Sequence, residues 1–374
     1  MEERFFDRLD STADDSGELF EHFERRSERG RTYHVLPDAR HGVERGTAVF
    51  PEADAVVRGY PSVPRVLVLD AGVRSFFDAD ATVAIEEKLD GFNVRIADVG
   101  DPVALTRSGY ICPYTTARAR ERLPLSTFFD EHPEKTLCAE LIGPETPYTT
   151  HDYDEVDSHE FRVFGVRDRE SGTPLPVDER RELCEEYGLA QPELFARCEP
   201  DAAVDRARDA IDDLDSAGRE GIVLKTSDAE SMVKYTTESQ HHAELASAFS
   251  LPFEYGRDFV FSRVIREAFQ AAEFDEADGR RRERARDLGE SILLPMVEAI
   301  EDVADGETVG ERQTVRGDPE SIDALFAYLR SQGLTLEIES DRREDGTRIA
   351  EFVKVSEATR DRIEHYLAGG TRDE

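Results

Sequence analysis

The sequence predicts an α+β protein in which antiparallel sheets with inserted helices are followed by a helical region and a small α/β C-terminal unit. Three observations favour this fold class. Short apolar runs bounded by turn residues fill positions 65–236, and apolar residues recur at three-to-four spacing from about residue 239. The final segment then alternates helix, strand, strand and helix. Strands interrupted by occasional helices are typical of α+β folds built on antiparallel sheets.

The first segment, residues 1–60, is predicted to form an N-terminal extension. It is polar and charged, and helix-like spacing relates its apolar residues Phe5, Leu9, Leu19 and Phe23. A boundary is predicted at Pro61-Ser62-Val63-Pro64, because each proline disfavours helix in the residue before it.

The second segment, residues 61–238, is predicted to form one domain rich in strands. Helical patterns interrupt the strands at 178–187 and 201–214. The candidate strands are Val66–Leu69, Val83–Glu87, Phe92–Ala97, Val103–Thr106, Leu137–Ile142, Phe161–Val166, Ile222–Lys225 and Met232–Tyr235.

The remaining chain is predicted to form two further units. Residues 239–312 are helical, with segments at 239–248, 258–273 and 280–304. Residues 313–374 form a small C-terminal domain with the elements Pro319–Ser331, Leu334–Glu339, Arg348–Val355 and Glu357–Leu367.

The composition argues against one class of function. The 374 residues include 83 acidic and 47 basic side chains, and the net charge of -36 disfavours a simple basic-patch nucleic-acid binder. An acidic surface with few lysines resembles that of proteins from extreme halophiles, so we expect a salt-rich cytoplasm. No signal peptide or membrane-spanning stretch is present, and none of the four cysteines lies in a C-x-x-C pair. We therefore expect a soluble, cytoplasmic protein with reduced thiols.

The lysines indicate where the chemistry lies. Arginine keeps its proton in proteins, whereas lysine becomes an amine nucleophile once burial or neighbouring cations depress its pKa. Lys88 lies in a K-x-D-G element, which by itself is also a hairpin signal because Asp-Gly favours tight turns. Lys225 and Lys234 lie on strand-like segments. The chain has five lysines, Lys88, Lys135, Lys225, Lys234 and Lys354.

Six motifs occur in order along the second segment. They are Lys88-Leu89-Asp90-Gly91, Thr106-Arg107-Ser108-Gly109-Tyr110, Ala139–Gly143, Phe161–Val166, Glu220–Lys225 and Val233–Tyr235. Together they resemble the motifs of covalent nucleotidyltransferases, which are ATP- or NAD-dependent DNA ligases, RNA ligases and mRNA capping enzymes. The resemblance implies an ATP-grasp-like ligase domain for residues 61–238.

Within this superfamily the chain is most similar to the archaeal homodimeric ATP-dependent RNA ligases. The segments that carry this similarity are E-E-K-L-D-G-F-N-V-R, S-G-Y-I-C-P-Y-T, A-E-L-I-G-P-E-T-P-Y and R-E-G-I-V-L-K. The resemblance implies that residues 239–312 form a helical dimerisation region and that the protein is a homodimer.

The resemblance also implies a reaction. Lys88 would attack the α-phosphate of ATP, releasing pyrophosphate and forming lysyl-AMP. The AMP would pass to an RNA 5′-phosphate, and a 3′-hydroxyl would then displace it. Lys225 and Lys234 would hold the α-phosphate as point charges and lower the pKa of Lys88 by like-charge repulsion. Asp90 would position the nucleophile.

Carboxylates and arginines complete the expected phosphate site. Glu140 and Glu220 are candidates for binding metal or ribose or for orienting a lysine. With phosphate oxygens they suit Mg²⁺ or Mn²⁺, which would neutralise charge at the α-phosphate. Arg95 and Arg107 can offer guanidinium groups to ribose or phosphate.

A third group of residues is expected to contact adenosine. Gly91 belongs to the lysine motif, and either Glu86 or Glu87 would accept a hydrogen bond from adenine N6. Phe161 and Phe164 lie on opposite faces of a strand, so one can stack on adenine while the other enters the core. Their offset within the motif favours Phe164 for stacking, although core packing explains either phenylalanine taken alone.

The expected partner is single-stranded RNA with 5′-phosphate and 3′-hydroxyl ends, which the enzyme would join or circularise; single-stranded DNA is the alternative substrate. A DNA ligase or GTP-using capping enzyme is the rival enzyme class. Those families usually continue into an OB-fold, whereas the next region here has a helical pattern. A non-catalytic nucleic-acid-binding module is the third hypothesis, and the presence of the candidate catalytic residues disfavours it.

Two basic runs stand out from the acidic background. The first is Arg118, Arg120 and Arg122, directly after the second motif, and the second spans residues 280–286. Salt-bridged helix surfaces explain both runs. Docking of RNA phosphates is the alternative, for which the first run is the better candidate because it is close in sequence to the site.

Overall fold

The computed structural model describes residues 2–148 and 153–371. Its N-terminal part contains two short helices and a four-stranded antiparallel sheet with strand order β1-β2-β3-β4. The elements are α1 (Glu2–Phe6), α2 (Ser16–Phe20), β1 (Glu24–Glu28), β2 (Arg31–Val35), β3 (Ala48–Phe50) and β4 (Ala55–Val57).

The sequence pattern did not predict this N-terminal sheet. β1 reads E-R-R-S-E and is mostly exposed, so no apolar alternation marks it. The residues with helix-like spacing contribute to a core that also contains Val49 and Val56 from the sheet: Phe5, Leu9, Leu19 and Phe23.

The central part contains two four-stranded antiparallel sheets. The first central sheet has the order β10-β5-β11-β12 and the second β7-β6-β8-β9. The strands are β5 (Val83–Lys88), β6 (Phe92–Asp98), β7 (Pro102–Thr106), β8 (Lys135–Ile142), β9 (Glu160–Asp168), β10 (Leu194–Cys198), β11 (Gly221–Thr226) and β12 (Met232–Thr236). The helices are α3 (Leu69–Phe76), α4 (Pro113–Arg122), α5 (Leu125–Glu131), α6 (Val177–Glu186) and α7 (Pro200–Ser216). Antiparallel sheets with inserted helices confirm the predicted fold class.

One predicted strand of this part is wrong. Val66–Leu69 is not a strand, because α3 begins at Leu69. The backbone N–H groups of Leu69 and Asp70 donate to the Glu273 carboxylate at 2.8 and 2.9 Å. A carboxylate more than 200 positions away in the chain therefore accepts hydrogen bonds from backbone N–H groups that have no partner within the helix. The sequence pattern also missed β10, α4 and α5.

The register of the first central sheet brings three lysines to one face. Glu86 of β5 and Lys234 of β12 both lie opposite Val223 of β11. Side chains alternate along a strand, so Lys88 and Lys225, each two residues from that row, point to the same face. Three segments distant in sequence thus converge on one surface.

After β12 the chain is helical, as predicted, and it ends in a small α/β unit. The helices are α8 (Glu238–Ser250), α9 (Arg257–Glu273) and α10 (Asp278–Asp305). A three-stranded antiparallel sheet of order β13-β15-β14 follows. Its unit contains β13 (Gly310–Gly317), α11 (Pro319–Ser331), β14 (Leu336–Glu344), β15 (Thr347–Val355) and α12 (Glu357–Leu367), of which β13 was not predicted. Within the described ranges no helix has the length and apolar character needed to cross a bilayer.

Candidate active site

Residues of both central sheets line a cavity of about 670 Å³, a volume that includes its open mouth. Seven residues singled out from the sequence line this cavity, namely Glu87, Lys88, Arg107, Glu140, Phe164, Lys225 and Lys234.

Lys88 and Glu220 meet at one end of the first central sheet. Lys88 ends β5 opposite Gly221, and Glu220 immediately precedes β11. The Nζ atom of Lys88 donates to Oε2 of Glu220 at 2.5 Å. Gly221 has a φ of 148°, and a Cβ atom there would lie 2.3 Å from the carbonyl oxygen of Tyr235. Glycine therefore allows β11 to begin against β12 with Glu220 beside the amine.

This ion pair changes the expected protonation of Lys88. Burial alone would lower the pKa of the amine, but the carboxylates of Glu220, Glu140 and Asp90 outweigh burial and raise it above its usual value. The expectation that neighbouring lysines depress the pKa of Lys88 is therefore wrong for the ligand-free protein. The amine must lose its proton and leave Glu220 before it can act as a nucleophile.

Lys225 is held at the cavity wall by fixed partners. Its Nζ atom donates to Oε2 of Glu86 at 2.6 Å and to the carbonyl oxygen of Phe164 at 3.0 Å. Arg180 also pairs with Glu86. Burial would raise the pKa of the Glu86 carboxyl, but Lys225 and Arg180 lower it to about 2. Glu86 is thus a permanent anion that orients Lys225.

Lys234 differs from the other two lysines of the cavity. Lys88 and Lys225 each pair with a carboxylate, whereas Lys234 forms no ion pair within the part of the chain that the structure describes. Burial, followed by the charges of Arg65 and Lys88, lowers the pKa of Lys234 to about 8. An anion beside Lys234 would favour its charged form. The side chain is therefore suited to receive a phosphate.

Three acidic side chains, Glu220, Glu140 and Asp90, influence the pKa of the Lys88 amine. Burial raises the pKa of Glu140 to about 8, against the opposing effect of Lys88 and with a further contribution from Glu220 and Asp90. The amide of Asn93 donates to Oε2 of Glu140 at 3.4 Å. With this pKa Glu140 holds a proton near neutral pH; a divalent cation would favour its ionised form, and carboxylate oxygens are suitable ligands for such an ion.

Asp90 and Gly91 lie in the turn between β5 and β6. The Asp90 carboxylate accepts a hydrogen bond from Nε2 of Gln240 at 2.8 Å, and its backbone N–H donates to the Tyr153 hydroxyl at 2.7 Å. A Cβ atom at Gly91 would lie 2.5 Å from the carbonyl oxygen of Leu141. Glycine therefore lets the turn approach β8. Both residues line a neighbouring groove instead of the cavity that the three lysines line.

The two phenylalanines lie in different environments. Phe161 is 2% exposed and belongs to the core of the second central sheet. Phe164 lines the cavity and contacts Tyr60 edge to face, with ring centroids 5.3 Å apart. A register shift opposite Cys138 and Ala139 leaves Phe164 as the extra residue of a β-bulge. The bulge aims this ring into the cavity wall.

Glu86 and Glu87 lie in different environments. Glu86 is enclosed by Lys225 and Arg180 and does not line the cavity. Glu87 lines it and lies 3.6 Å from Arg219. Burial raises the pKa of Glu87, against the opposing charge of Arg219. Along β5 the side chain of Glu87 points to the face opposite that of Glu86 and Lys88, so its carboxylate lies beside Arg219 in a neighbouring groove.

Arg95 is a correction to the expected ATP-binding set. Its guanidinium group is 1% exposed and donates to the carbonyl oxygens of Arg58, Gly46 and Thr106 at 2.6, 2.7 and 3.2 Å. These bonds fasten the N-terminal part to the second central sheet, and Arg95 does not line the cavity. Arg107 does line it, is exposed, and forms no ion pair with a carboxylate of the described residues.

Sequence reasoning missed one wall of the cavity. Tyr60, Pro61 and Val63 line it, although this segment was predicted to be a boundary. The segment runs beside β12, where the N–H of Lys234 donates to the carbonyl oxygen of Pro64 at 2.9 Å. The prolines were the available signal, because they favour the extended backbone that such pairing requires.

The basic run on α10 is salt-bridged in part. Arg284 lies 2.6 Å from Glu267 and 2.8 Å from Glu238, and Arg280 also pairs with Glu238. These two guanidinium groups hold α8, α9 and α10 together and are not available to an external anion. Arg282 and Arg286 are exposed and form no ion pair with a carboxylate of the described residues.

Two family models match the chain. The model described as RNA ligase matches residues 81–236, and the model described as Ligase Pab1020 C-terminal region matches residues 247–370. The first match contains most of the residues that line the cavity, and the second contains most of the helical region and the C-terminal unit.

Similarity to individual proteins extends over nearly the whole chain. An archaeal ATP-dependent RNA ligase structure has a TM-score of 0.91 and 40% identity, covering 98% of both chains. An Aquifex aeolicus protein provisionally described as an ATP-dependent DNA ligase has a TM-score of 0.87 and 26% identity, covering 94% of this chain and 97% of that one. An uncharacterized protein of Methanocaldococcus jannaschii is 41% identical over 340 residues, which cover 88% of this chain and 85% of that protein.

Proposed function

The chain belongs to the archaeal ATP-dependent RNA ligase family, and from this premise we propose that it seals single-stranded RNA through lysyl-AMP formed on Lys88. The observation that carries the proposal is the position of the Lys88 amine in a cavity that Lys225 and Lys234 also line. ATP supplies the adenylyl group, and RNA 5′-phosphate and 3′-hydroxyl ends are the groups joined, between molecules or within one.

The proposed reaction has three displacements at phosphorus. The deprotonated Nζ of Lys88 attacks the α-phosphorus of ATP, the bond to the bridging oxygen breaks, and pyrophosphate leaves. An oxygen of the RNA 5′-phosphate then attacks the same phosphorus, the P–N bond breaks, and the Lys88 amine regains a proton. Finally the RNA 3′-hydroxyl loses its proton and attacks the 5′-phosphorus, so that AMP leaves and a phosphodiester remains.

Lys225 and Lys234 have separate parts in this proposal. Lys225 is a cation fixed by Glu86, so it is preorganised to meet the negative charge that develops on the α-phosphate. Lys234 has no carboxylate partner among the described residues and a pKa lowered to about 8. Its ammonium form would be stabilised by the phosphate that it binds.

The adenosine subsite is assigned to the opposite wall. We assign stacking on adenine to Phe164 and a ribose or phosphate contact to Arg107, both of which line the cavity. The hydrogen bond from adenine N6 is assigned to Glu86 or Glu87. Offset stacking against an aromatic ring contributes about 1 kcal/mol beyond the area it buries.

Glu140 and Glu220 are proposed to hold Mg²⁺ or Mn²⁺. Their carboxylate oxygens suit these hard cations, and a bound cation would favour loss of the proton that Glu140 holds in the ligand-free protein. Such an ion would neutralise charge on phosphate oxygens. The chain's own contribution is to present Glu140 from β8 and Glu220 from the start of β11, and to release Lys88 from its ion pair.

The test begins with self-adenylylation. The protein is incubated with α-labelled ATP and a divalent cation in KCl and analysed on a denaturing gel, beside α-labelled GTP. Covalent label from ATP, followed by sealing of 5′-phosphorylated RNA, is the expected result. Folded protein without label would contradict the proposal, and label from GTP alone would favour a capping-type enzyme. Sealing of DNA but not RNA would favour the activity suggested by the 26% identical Aquifex protein.

A homodimer through residues 239–312 is part of the proposal. Helices α9 and α10 expose large apolar side chains, including Phe261, Leu293 and Leu294 with exposed fractions of 60%, 59% and 51%. Apolar groups clustered on a surface are typical of protein–protein contacts. We assign the flanking units as proposed from the sequence, with 1–60 N-terminal, 61–238 catalytic and 313–374 C-terminal.

We place the enzyme in a reducing, salt-rich cytoplasm. The four cysteines are free thiols, which suits a reducing compartment. A net charge of -36 keeps a chain hydrated where salt screens repulsion between its carboxylates.

A further inference from the structure

A second groove lies between α4 and the C-terminal sheet, with a volume of about 1180 Å³ that includes its open side. Its described lining contains five arginines and two carboxylates, an excess of positive charge in a chain whose net charge is -36. Such local reversal of sign attracts anions. The arginines are Arg29, Arg118, Arg120, Arg122 and Arg316.

The arginines of this groove fall into two sets. Three are paired and therefore fixed in place: Arg118 with Glu121 and Asp318, Arg120 with Asp101, and Arg316 with Glu145. Arg29 and Arg122 are exposed and form no ion pair with any carboxylate of the described chain. The two unpaired guanidinium groups are available to an external anion.

His159 adds a buried polar group to the same groove. The residue is 3% exposed, and its Nδ1 atom lies 2.9 Å from the Ser158 hydroxyl. Its Nε2 atom is buried without a hydrogen-bond partner among the described residues. Burial, then the charges of Arg122 and Arg118, lowers the pKa of His159 to about 4, so the ring is neutral. A buried polar nitrogen without a hydrogen-bond partner is costly unless a ligand satisfies it.

The groove is built by two parts of the chain packed closely together. A Cβ atom at Gly317 of β13 would lie 3.4 Å from Cζ of Arg118, so the absence of a side chain lets β13 pack against this guanidinium group. Helix α4 begins six residues after Arg107, which lines the cavity of the candidate active site, so the groove and this cavity are close in sequence.

We infer that this groove binds a backbone phosphate of the RNA substrate, an assignment that rests on the proposed function. Arg122 and Arg29 supply the unpaired positive charges. His159 contributes its Nε2 atom, which has no partner among the described residues and would donate to a phosphate oxygen when it carries a proton. Because the contacts go to phosphate, the groove contributes affinity without sequence preference.

Charge reversal at the two exposed arginines tests this site. Arg122→Glu and Arg29→Glu are compared with Arg206→Glu, a control at an exposed arginine of α7. Binding of 5′-phosphorylated single-stranded RNA is measured by fluorescence anisotropy over a KCl series, and self-adenylylation is measured without RNA. The groove variants should bind RNA about tenfold more weakly, with the logarithmic salt slope reduced by about one. Self-adenylylation of the groove variants should match that of the wild type. The Arg206→Glu control should match the wild type in both RNA binding and self-adenylylation.

Other outcomes would overturn the assignment. RNA affinity and salt slope equal to the wild type in both groove variants would exclude a phosphate contact. A parallel loss of self-adenylylation would make the groove a structural support for the catalytic domain. Failure of the proposed function is distinguishable, because the wild type itself would then take no label from ATP or would not seal RNA.

His159 provides a second readout that a purely structural role would not affect. With ¹³C-labelled histidine, the titration of this ring is followed with and without a short RNA oligonucleotide. A bound phosphate should raise the pKa of His159, because it opposes the charges of Arg118, Arg122 and Arg316 and acts in the same direction as Glu145. An unchanged titration at saturating RNA would contradict the proposed hydrogen bond.

Discussion

The ammonium group of Lys88 lies 2.5 Å from the carboxylate of Glu220, a residue 132 positions later in the chain. The pairing of β5 with β11 creates this contact, because Lys88 lies opposite Gly221. The ligand-free protein therefore keeps its candidate nucleophile protonated. Once Glu220 turns to another cation, the amine is free to lose its proton and react.

Replacement of Lys88 by arginine should abolish self-adenylylation. Arginine keeps the positive charge and the ion pair but does not supply an unprotonated amine, so we expect a decrease of more than about 1000-fold. Covalent label from α-labelled ATP measures the effect. The matched control is Lys354→Arg, since Lys354 lies in the C-terminal sheet and pairs with Glu311. Label in Lys88→Arg equal to that of the control would remove Lys88 as the nucleophile.

The rate of self-adenylylation should rise with pH. Because the pKa of Lys88 is raised, the reactive unprotonated fraction is small near neutrality and grows with pH by about tenfold per unit. The profile is measured at concentrations of ATP and divalent cation well below saturation, where the rate reports the pKa of the free enzyme. A rate independent of pH across the neutral and mildly alkaline range would show that proton loss does not limit the reaction.

The stability difference between wild type and Glu140→Gln should depend on pH. The pKa of Glu140 is raised from 4.5 to about 8 in the fold. The folded wild type thus holds a proton that the unfolded chain has released between those values. The free energy of unfolding of the wild type consequently falls as pH rises through this window, whereas glutamine does not titrate. The variant should gain about 2 kcal/mol relative to the wild type between pH 5 and 8.

Denaturant unfolding of the ligand-free proteins in KCl measures this difference. The matched control is Glu230→Gln, an exposed glutamate in the loop before β12. A constant difference between wild type and Glu140→Gln at all pH values would mean that Glu140 is ionised throughout.

Arg95→Met should mainly lower the stability of the fold, whereas Arg107→Ala should mainly weaken ATP binding. Arg95→Met leaves three carbonyl oxygens without their buried donor and should lower the free energy of unfolding by about 3 kcal/mol. Arg107→Ala removes an exposed side chain and should change stability by less than about 0.5 kcal/mol. It should raise the KM for ATP by roughly tenfold, because a guanidinium contact to phosphate or ribose is lost.

Each of these arginine variants serves as the control for the other. Chemical unfolding and the ATP dependence of self-adenylylation are measured on both. An Arg95→Met protein of wild-type stability, or an Arg107→Ala protein of unchanged KM, would reverse the structural and ligand-binding roles assigned here.

Leu293→Glu should convert the proposed dimer into a monomer. The side chain is 59% exposed on α10, so a carboxylate there costs the fold little but disfavours an apolar interface. Light scattering in molar KCl should give half the wild-type mass. Leu367→Glu, at a 54% exposed leucine of α12, is the control and should remain dimeric. A monomeric wild type would contradict the proposal itself.

Local patterns were sufficient for much of the fold. Apolar alternation bounded by turn residues predicted most central strands, because each such strand carries its own pattern. The pattern did not predict β1, because its five residues are charged or polar. It also did not predict α3, because the start of this helix depends on Glu273 from α9. Elements that depend on distant partners have no complete local signal.

The candidate site could be predicted in part. The scarcity of lysine and the order of the motifs identified Lys88, Lys225 and Lys234, which line one cavity. The same reasoning treated Arg95 and Arg107 as equivalent, although their environments are opposite. Residue type and spacing do not reveal which guanidinium group is buried and donates hydrogen bonds to backbone carbonyl oxygens.

Composition, motif order and apolar patterns were enough to predict the fold class, the family resemblance and the chemical groups from which a ligase site can be built. The folded structure was needed to show that Glu86 pairs with Lys225 whereas Glu87 faces Arg219, and that Glu220 keeps Lys88 protonated. Burial and ion pairing depend on strand register and on contacts between segments more than 100 positions apart. These contacts set the pKa values of the site and decide which side chains stay unpaired, and no local pattern contains them.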